Sequence, residues 1–176
     1  MNLIRQVRLD NGVRIAIDAM AGLNTASVGL HLDAGAQDDP AERMGLAHFL
    51  EHMAFKGARG MTARQIATLA EARGIELNAA TGYERTSYYA RCLGERAIET
   101  LDLLKALVFE ADLPPAEIER ERNVILQEIG EADDQPDDLV FQLAQAAAFG
   151  DHPLGRAILG QQDSVAAISA EDLSGF

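Results

Sequence analysis

Apolar and polar residues alternate over residues 3–9 and again over 13–18, with Asp10-Asn11-Gly12 between them. Alternation with a period of two predicts strands, and an Asn-Gly pair between them predicts a tight hairpin turn. Residues 24–33, NTASVGLHLD, predict a third strand, ended by the loop AGAQDDPAE. The apolar spacing then changes to that of a helix over 43–56 and, behind Thr62 as N-cap, over 63–73, where Gly74 stops it. Two extended segments follow at 75–81 and 85–93, linked around Gly82-Tyr83-Glu84. Helices are predicted at 95–110, at 115–132 behind Pro114-Pro115, and at 137–148 behind Pro136, since proline suits a first helical turn. This order predicts an α+β fold: a two-layer sandwich with an antiparallel or mixed sheet and helices layered mainly on one face.

The chain's 176 residues, 48% of them apolar, suffice for one domain with a sizeable core. No repeat or low-complexity linker divides it, and EADDQPDD (131–138) reads as a solvated junction between helices. No apolar run approaches the roughly 18–20 residues of a membrane span, and MNLIRQVRLDNGVRIAI lacks the apolar block of a signal peptide, so a cytoplasmic location is expected. With 28 acidic against 15 basic residues the net charge is −13, which argues against nucleic acid as a partner. The excess favours solubility or a basic partner or substrate. Cys92 stands alone in a strand-like run, which excludes a disulfide framework and predicts an inert buried thiol.

The segment GLAHFLEHMAFKG (45–57) changes the picture. On a helix, Leu46, Phe49, Leu50 and Met53 fall on one side, and His48, Glu51 and His52 cluster on the other. Histidines at i and i+4 lie one turn apart on one face, a spacing from which both imidazoles can reach a single tetrahedral zinc ion. Glu51 projects beside that position, where a carboxylate can take a proton from metal-activated water. The same pattern also fits the wet face of any amphipathic helix. A catalytic zinc needs a third protein ligand. His31 alternates with apolar residues in a strand and His152 precedes a proline in a loop, so a carboxylate is the ligand to seek.

EIERERNVILQEIGEA (117–132) offers candidates. Ile118, Ile125 and Ile129 form an apolar stripe, and Glu121 and Glu128, two turns apart, lie on its shoulder. A carboxylate there is costly unless it is paired or binds metal. Glu117, Glu119 and Glu131 read as ordinary surface residues.

Three stretches, GLAHFLEHMAFKG, LNAATGYERTSYYA and ERNVILQEI, together with HPLGRAILG (152–160), resemble the pitrilysin, insulinase and mitochondrial processing peptidase family of zinc endopeptidases, whose motif is the inverted H-x-x-E-H. The resemblance runs from residue 3 to residue 176. It implies that His48, His52 and Glu128 are ligands of one zinc ion with water as the fourth. Glu51 would then be the general base that later protonates the leaving amine, and Glu121 a supporting acid that holds a ligand histidine or tunes the site without coordinating the ion. It implies that the strand starting near Leu77 is an edge to which an extended substrate adds through its backbone, with Asn78 and Ala79 in contact with it. Hydrolysis would proceed without a covalent enzyme intermediate; the acidic balance fits attraction of basic or presequence-like peptides, while the resemblance does not fix the substrate.

Proteins of that family enclose substrate between two homologous lobes or subunits, the second supplying Arg and Tyr side chains. Residues 1–176 are therefore expected to be a truncated N-terminal zinc-binding lobe that lacks its last strand and its second lobe. An open sheet edge would favour self-association. The rival expectation is a non-catalytic scaffold or substrate-binding subunit of the same fold. Such subunits typically carry a degraded zinc motif, whereas His48, Glu51, His52 and Glu128 are all present here.

Overall fold

The computed structural model describes residues 4–176. It opens with a hairpin of β1 (Arg5–Arg8) and β2 (Arg14–Ile17), paired antiparallel with Arg5 opposite Ile17. The expected first strand reaches back to residue 3, which lies outside the described residues. Strand β3 (Thr25–Leu32) leads through two single helical turns to α1 (Leu46–Ala54). A two-residue hairpin, β4 (Gly57–Ala58) and β5 (Met61–Thr62), precedes α2 (Ala63–Arg73). Strands β6 (Glu76–Thr81) and β7 (Thr86–Leu93) then give way to helices α3 (Ala97–Phe109), α4 (Pro115–Asp134), α5 (Pro136–Phe149), α6 (Gln162–Ala167) and α7 (Ala170–Gly175).

The fold is α+β, as the pattern predicts. β3, β7 and β6 form an antiparallel sheet in that order, with Leu30 opposite Tyr88 and Tyr88 opposite Ala79. Both β3 and β6 therefore carry a free edge within that sheet. The β1–β2 hairpin forms a two-stranded sheet of its own and does not extend the β3 sheet, although Arg14 and Asp33 pair across the gap at 3.5 Å.

Alternation along the strands selects the buried face. Val28, Leu30, Leu77, Tyr88, Ala90 and Cys92 join Ile66, Ala70, Leu103, Leu104 and Leu107 of α2 and α3 in one core. The alternate residues His31, Asn78 and Arg91 face outward, and Cys92 is a buried thiol as expected. Helix α2 matches its predicted bounds because its ends are chemically marked. Thr62 accepts from the Gln65 amide, the Gln65 side chain accepts from the Thr62 amide, and Gly74 ends the helix at φ +63°.

A second core lies apart from the sheet. Leu46, Phe49 and Met53 of α1 pack on Ile118, Ile125 and Ile129 of α4, sealed by Val165 of α6, Leu173 of α7 and Ile168 between them. This core sets the face that α1 turns toward α4. The 131–138 junction, predicted to be solvated, is largely exposed.

Candidate metal centre

With Phe49 and Met53 pinned in the second core, the opposite side of α1 presents His48, Glu51 and His52. The same packing turns one shoulder of α4 toward them. Glu128 Oε2 lies 3.6 Å from His52 Nε2 and 3.9 Å from His48 Nε2. The two imidazoles meet edge to face, with ring centres 4.6 Å apart. Donor atoms of His48, His52 and Glu128 all fall within 4.8 Å of one another.

Two nitrogens and one carboxylate oxygen are a donor set suited to zinc, which holds such ligands at about 2.0–2.2 Å. Ligand atoms arranged tetrahedrally at that radius lie about 3.4 Å apart, so side-chain shifts of up to roughly an ångström would let one ion reach all three. His48 is prepared for this. Burial first, and the neighbouring His52 second, push its pKa down to about 4, so at neutral pH the ring is uncharged and has a lone pair to give. Its Nδ1 is buried without a hydrogen-bond partner among the described residues, and its Nε2 faces Glu128. The residues present fit the ion.

Behind His52 stands Glu121, which is buried as its position on the shoulder of the apolar stripe predicts. Glu121 Oε2 lies 3.1 Å from His52 Nδ1, and Glu121 Oε1 accepts from Lys56 Nζ at 2.7 Å. A carboxylate on the far nitrogen fixes a histidine's orientation and tautomer and raises its basicity as a ligand. Lys56 went unnoticed in the sequence. Lys56 lies two residues beyond the end of α1, and only the packing of α1 on α4 brings it to Glu121.

Glu51 accepts a hydrogen bond from the Thr81 hydroxyl, which brings the carboxylate to the end of β6. Its charge, after burial, contributes to raising the Tyr88 phenol's pKa. Asn78 and Ala79 both lie on β6, on opposite faces, with the strand's outer edge unpaired. The other histidines are engaged elsewhere: His31 Nδ1 bonds Ser87 Oγ at 2.8 Å, and His152 Nδ1 accepts from the Leu154 amide.

Acid should loosen the metal-free fold through His48. Between pH 6.5 and about 4 the unfolded chain protonates this ring while the folded chain does not, so stability is lost as pH falls through that window. The loss is on the order of 3 kcal/mol. Asp39, raised to about 6 by burial, acts in the opposite sense over most of that range and offsets much of the loss in the native chain. Urea unfolding at pH 7 and pH 4, compared between the native chain and His48→Phe, isolates the His48 contribution; an equal acid loss in both chains would refute it.

Comparison with known proteins agrees with the fold and with the family resemblance. The family model "Insulinase (Peptidase family M16)" matches residues 14–162. An uncharacterized zinc protease of Mycobacterium tuberculosis is 38% identical over 172 residues, which are 98% of this chain and 39% of that protein. A mitochondrial-processing peptidase subunit beta of Lentinula edodes is 38% identical over 168 residues, 96% of this chain and 36% of that one. The crystal structure of a peptidase M16 inactive domain from Pseudomonas fluorescens superimposes with a TM-score of 0.91 at 20% identity, covering 98% of this chain and 42% of the other. The chain thus spans about two-fifths of the length of these proteins. Among the described residues no helix is long and apolar enough to cross a membrane. A family model that matches most of the sequence, and relatives similar from end to end of it, establish that the chain belongs to the insulinase family, peptidase family M16.

Proposed function

We propose that this chain is the metal-binding lobe of a zinc endopeptidase in which His48, His52 and Glu128 hold one zinc ion and Glu51 carries the proton. The convergence of three donor atoms from two helices, with Glu51 beside them, is the observation that supports this reading most directly. Zinc, when bound, supplies a Lewis acid that polarises a peptide carbonyl and makes water a nucleophile near neutral pH. The chain's own residues do the rest. Glu51 takes a proton from the attacking water and returns it to the departing amine. Glu121, held by Lys56, keeps His52 in its ligating orientation. An extended peptide pairs with the free edge of β6 at Asn78 and Ala79, which gives affinity from backbone bonds with little side-chain selection.

The net charge of −13 favours basic peptides as substrates. The name of the Lentinula relative supports precursor processing as one such task. In this reading residues 1–176 act with a second homologous lobe or subunit, and the free strand edges allow a second copy to pair. The alternative is a non-catalytic scaffold or binding subunit. It is supported by the Pseudomonas structure, where nearly the same fold carries the description "inactive domain". The presence of His48, Glu51, His52 and Glu128 in this chain favours the peptidase.

Zinc content decides between them. After dialysis, elemental analysis of the chain should give about one zinc per polypeptide, and Glu128→Gln should lose it or hold it far more weakly. Zinc absent from both would favour the scaffold. Zinc equally tight in both would remove Glu128 from the ligand set.

A further inference from the structure

Asp39 is buried, 4% exposed, in the loop that precedes α1, and takes no part in the chemistry above. Its carboxylate accepts from three consecutive backbone amides at the start of that helix. Oδ2 takes Gly45 N–H at 2.8 Å and Leu46 N–H at 3.1 Å, and Oδ1 takes Ala47 N–H at 2.9 Å. A helix leaves its first N–H groups without partners inside the helix, and the positive end of its dipole lies among them. Asp39 meets both needs from outside the helix, since the position just before Leu46 belongs to Gly45.

The clamp is itself held. Gly45 sits at φ +92°, and a Cβ there would come within 2.6 Å of the Leu159 carbonyl oxygen, so only glycine fits. Ser164 Oγ donates to the Met44 carbonyl at 2.8 Å, and Arg156 Nη1 donates to the Asp39 carbonyl at 3.0 Å. The segment 156–164 thus grips the loop, the loop grips the N-terminus of α1, and His48 is the next residue after the last clamped amide.

We propose that Asp39 is a positioning residue for the metal centre: by holding three amides it sets where α1 begins and how it is rolled, and so aims His48 and His52 at Glu128. This inference rests on the zinc reading above. Its physical basis is the size of α1. Nine residues make two and a half turns, too few to hold a bearing alone, whereas a metal site needs its ligands fixed to within about 0.5 Å.

The test uses Asp39→Asn, which keeps the size but replaces one carboxylate oxygen with a donor, and Thr62→Ala, which removes the cap of α2. Thr62→Ala should cost stability on the scale of a lost helix cap, and Asp39→Asn, which disturbs three buried bonds, more, so zinc affinity is compared under conditions where both remain folded. Zinc affinity by chelator competition, the visible spectrum of the cobalt-loaded chain, and hydrogen exchange of the Gly45, Leu46 and Ala47 amides are measured for each. Asp39→Asn is expected to weaken zinc about 10–100-fold, alter the cobalt spectrum and speed exchange at the three amides. Thr62→Ala should leave zinc affinity within about twofold of native, because α2 carries no ligand. Native affinity and spectrum in Asp39→Asn, or equal zinc losses in both variants, would overturn the role of Asp39. Should Asp39→Asn fail to fold, Arg156→Gln is read in its place, with about a 3–10-fold loss expected and none as the refuting result. Absence of zinc uptake by the native chain would instead sink the metal reading, and the inference with it.

Discussion

Replacing Glu51 with Gln is expected to lower peptide hydrolysis by about 10²–10⁴-fold while zinc stays bound, the scale of a lost general acid–base group. Gln has nearly the same shape, can still meet the Thr81 hydroxyl through its amide, and cannot accept a proton at neutral pH. The geometry explains why this one change should separate chemistry from binding. Glu51 lies next to His52 on α1, yet the cluster of converging donor atoms is made by His48, His52 and Glu128. Hydrolysis rate and zinc content, measured on the same preparation of the complete enzyme, check the result. An unchanged rate would exclude Glu51 as the proton carrier, and loss of zinc would make it a ligand.

The largest effect on stability is expected at Phe49. Its side chain is fully buried between α1 and α4, in contact with the isoleucine stripe and with the Arg122 guanidinium 5.4 Å above the ring. Truncation to alanine removes that contact area and leaves a cavity that neighbouring helices fill only in part. Phe49→Ala should cost about 3–5 kcal/mol, a large share of the roughly 5–15 kcal/mol that holds a domain together. Urea titration measures the loss directly, and a cost below about 1 kcal/mol would mean that the second core does not join the helices as described. Because the same contact brings Glu128 to the histidines, the variant should also bind zinc less tightly than native at a temperature where both remain folded.

Legibility of this chain in its sequence followed the range of the forces involved. Helix α2 was read to the residue because its cap, its capping partner and its terminal glycine all lie within the segment itself. The start of α1 was read three residues early, at 43 instead of 46. The apolar spacing continues upstream, but the left-handed turn at Gly45 and the remote carboxylate of Asp39 decide where the helix begins. The β4–β5 hairpin was missed for a related reason: it has two residues a side and is tied to Asp112, which hydrogen-bonds to Gly57 and Gly60 from across the fold. The separation of the β1–β2 hairpin from β3 was also beyond reach, since alternation predicts strands and not which strands pair.

The candidate site was legible where chemistry repeats with the helical period. His48 and His52 one turn apart, and Glu121 and Glu128 two turns apart on the shoulder of an apolar stripe, put every acid and imidazole of the cluster on the page. Which of the two glutamates faces the gap between the imidazoles, and which stands behind His52, depends on how α1 and α4 pack. Lys56 and Asp39 were missed because each acts on the site through one intermediary, Glu121 or the α1 backbone.

If peptides pair along β6 as proposed, its free edge bears on which of them can be recognised. Six residues of strand span about 20 Å, and a guest that pairs along them must offer its own N–H and C=O groups at regular intervals. Those groups are already committed in any helix, and in any strand at the centre of a sheet. In the proposed reading, such helices and central strands would be turned away irrespective of sequence, while unstructured stretches with the same residues would be admitted. Discrimination at this edge would then be by conformation: the filter would read whether a chain is unfolded before any pocket reads its side chains.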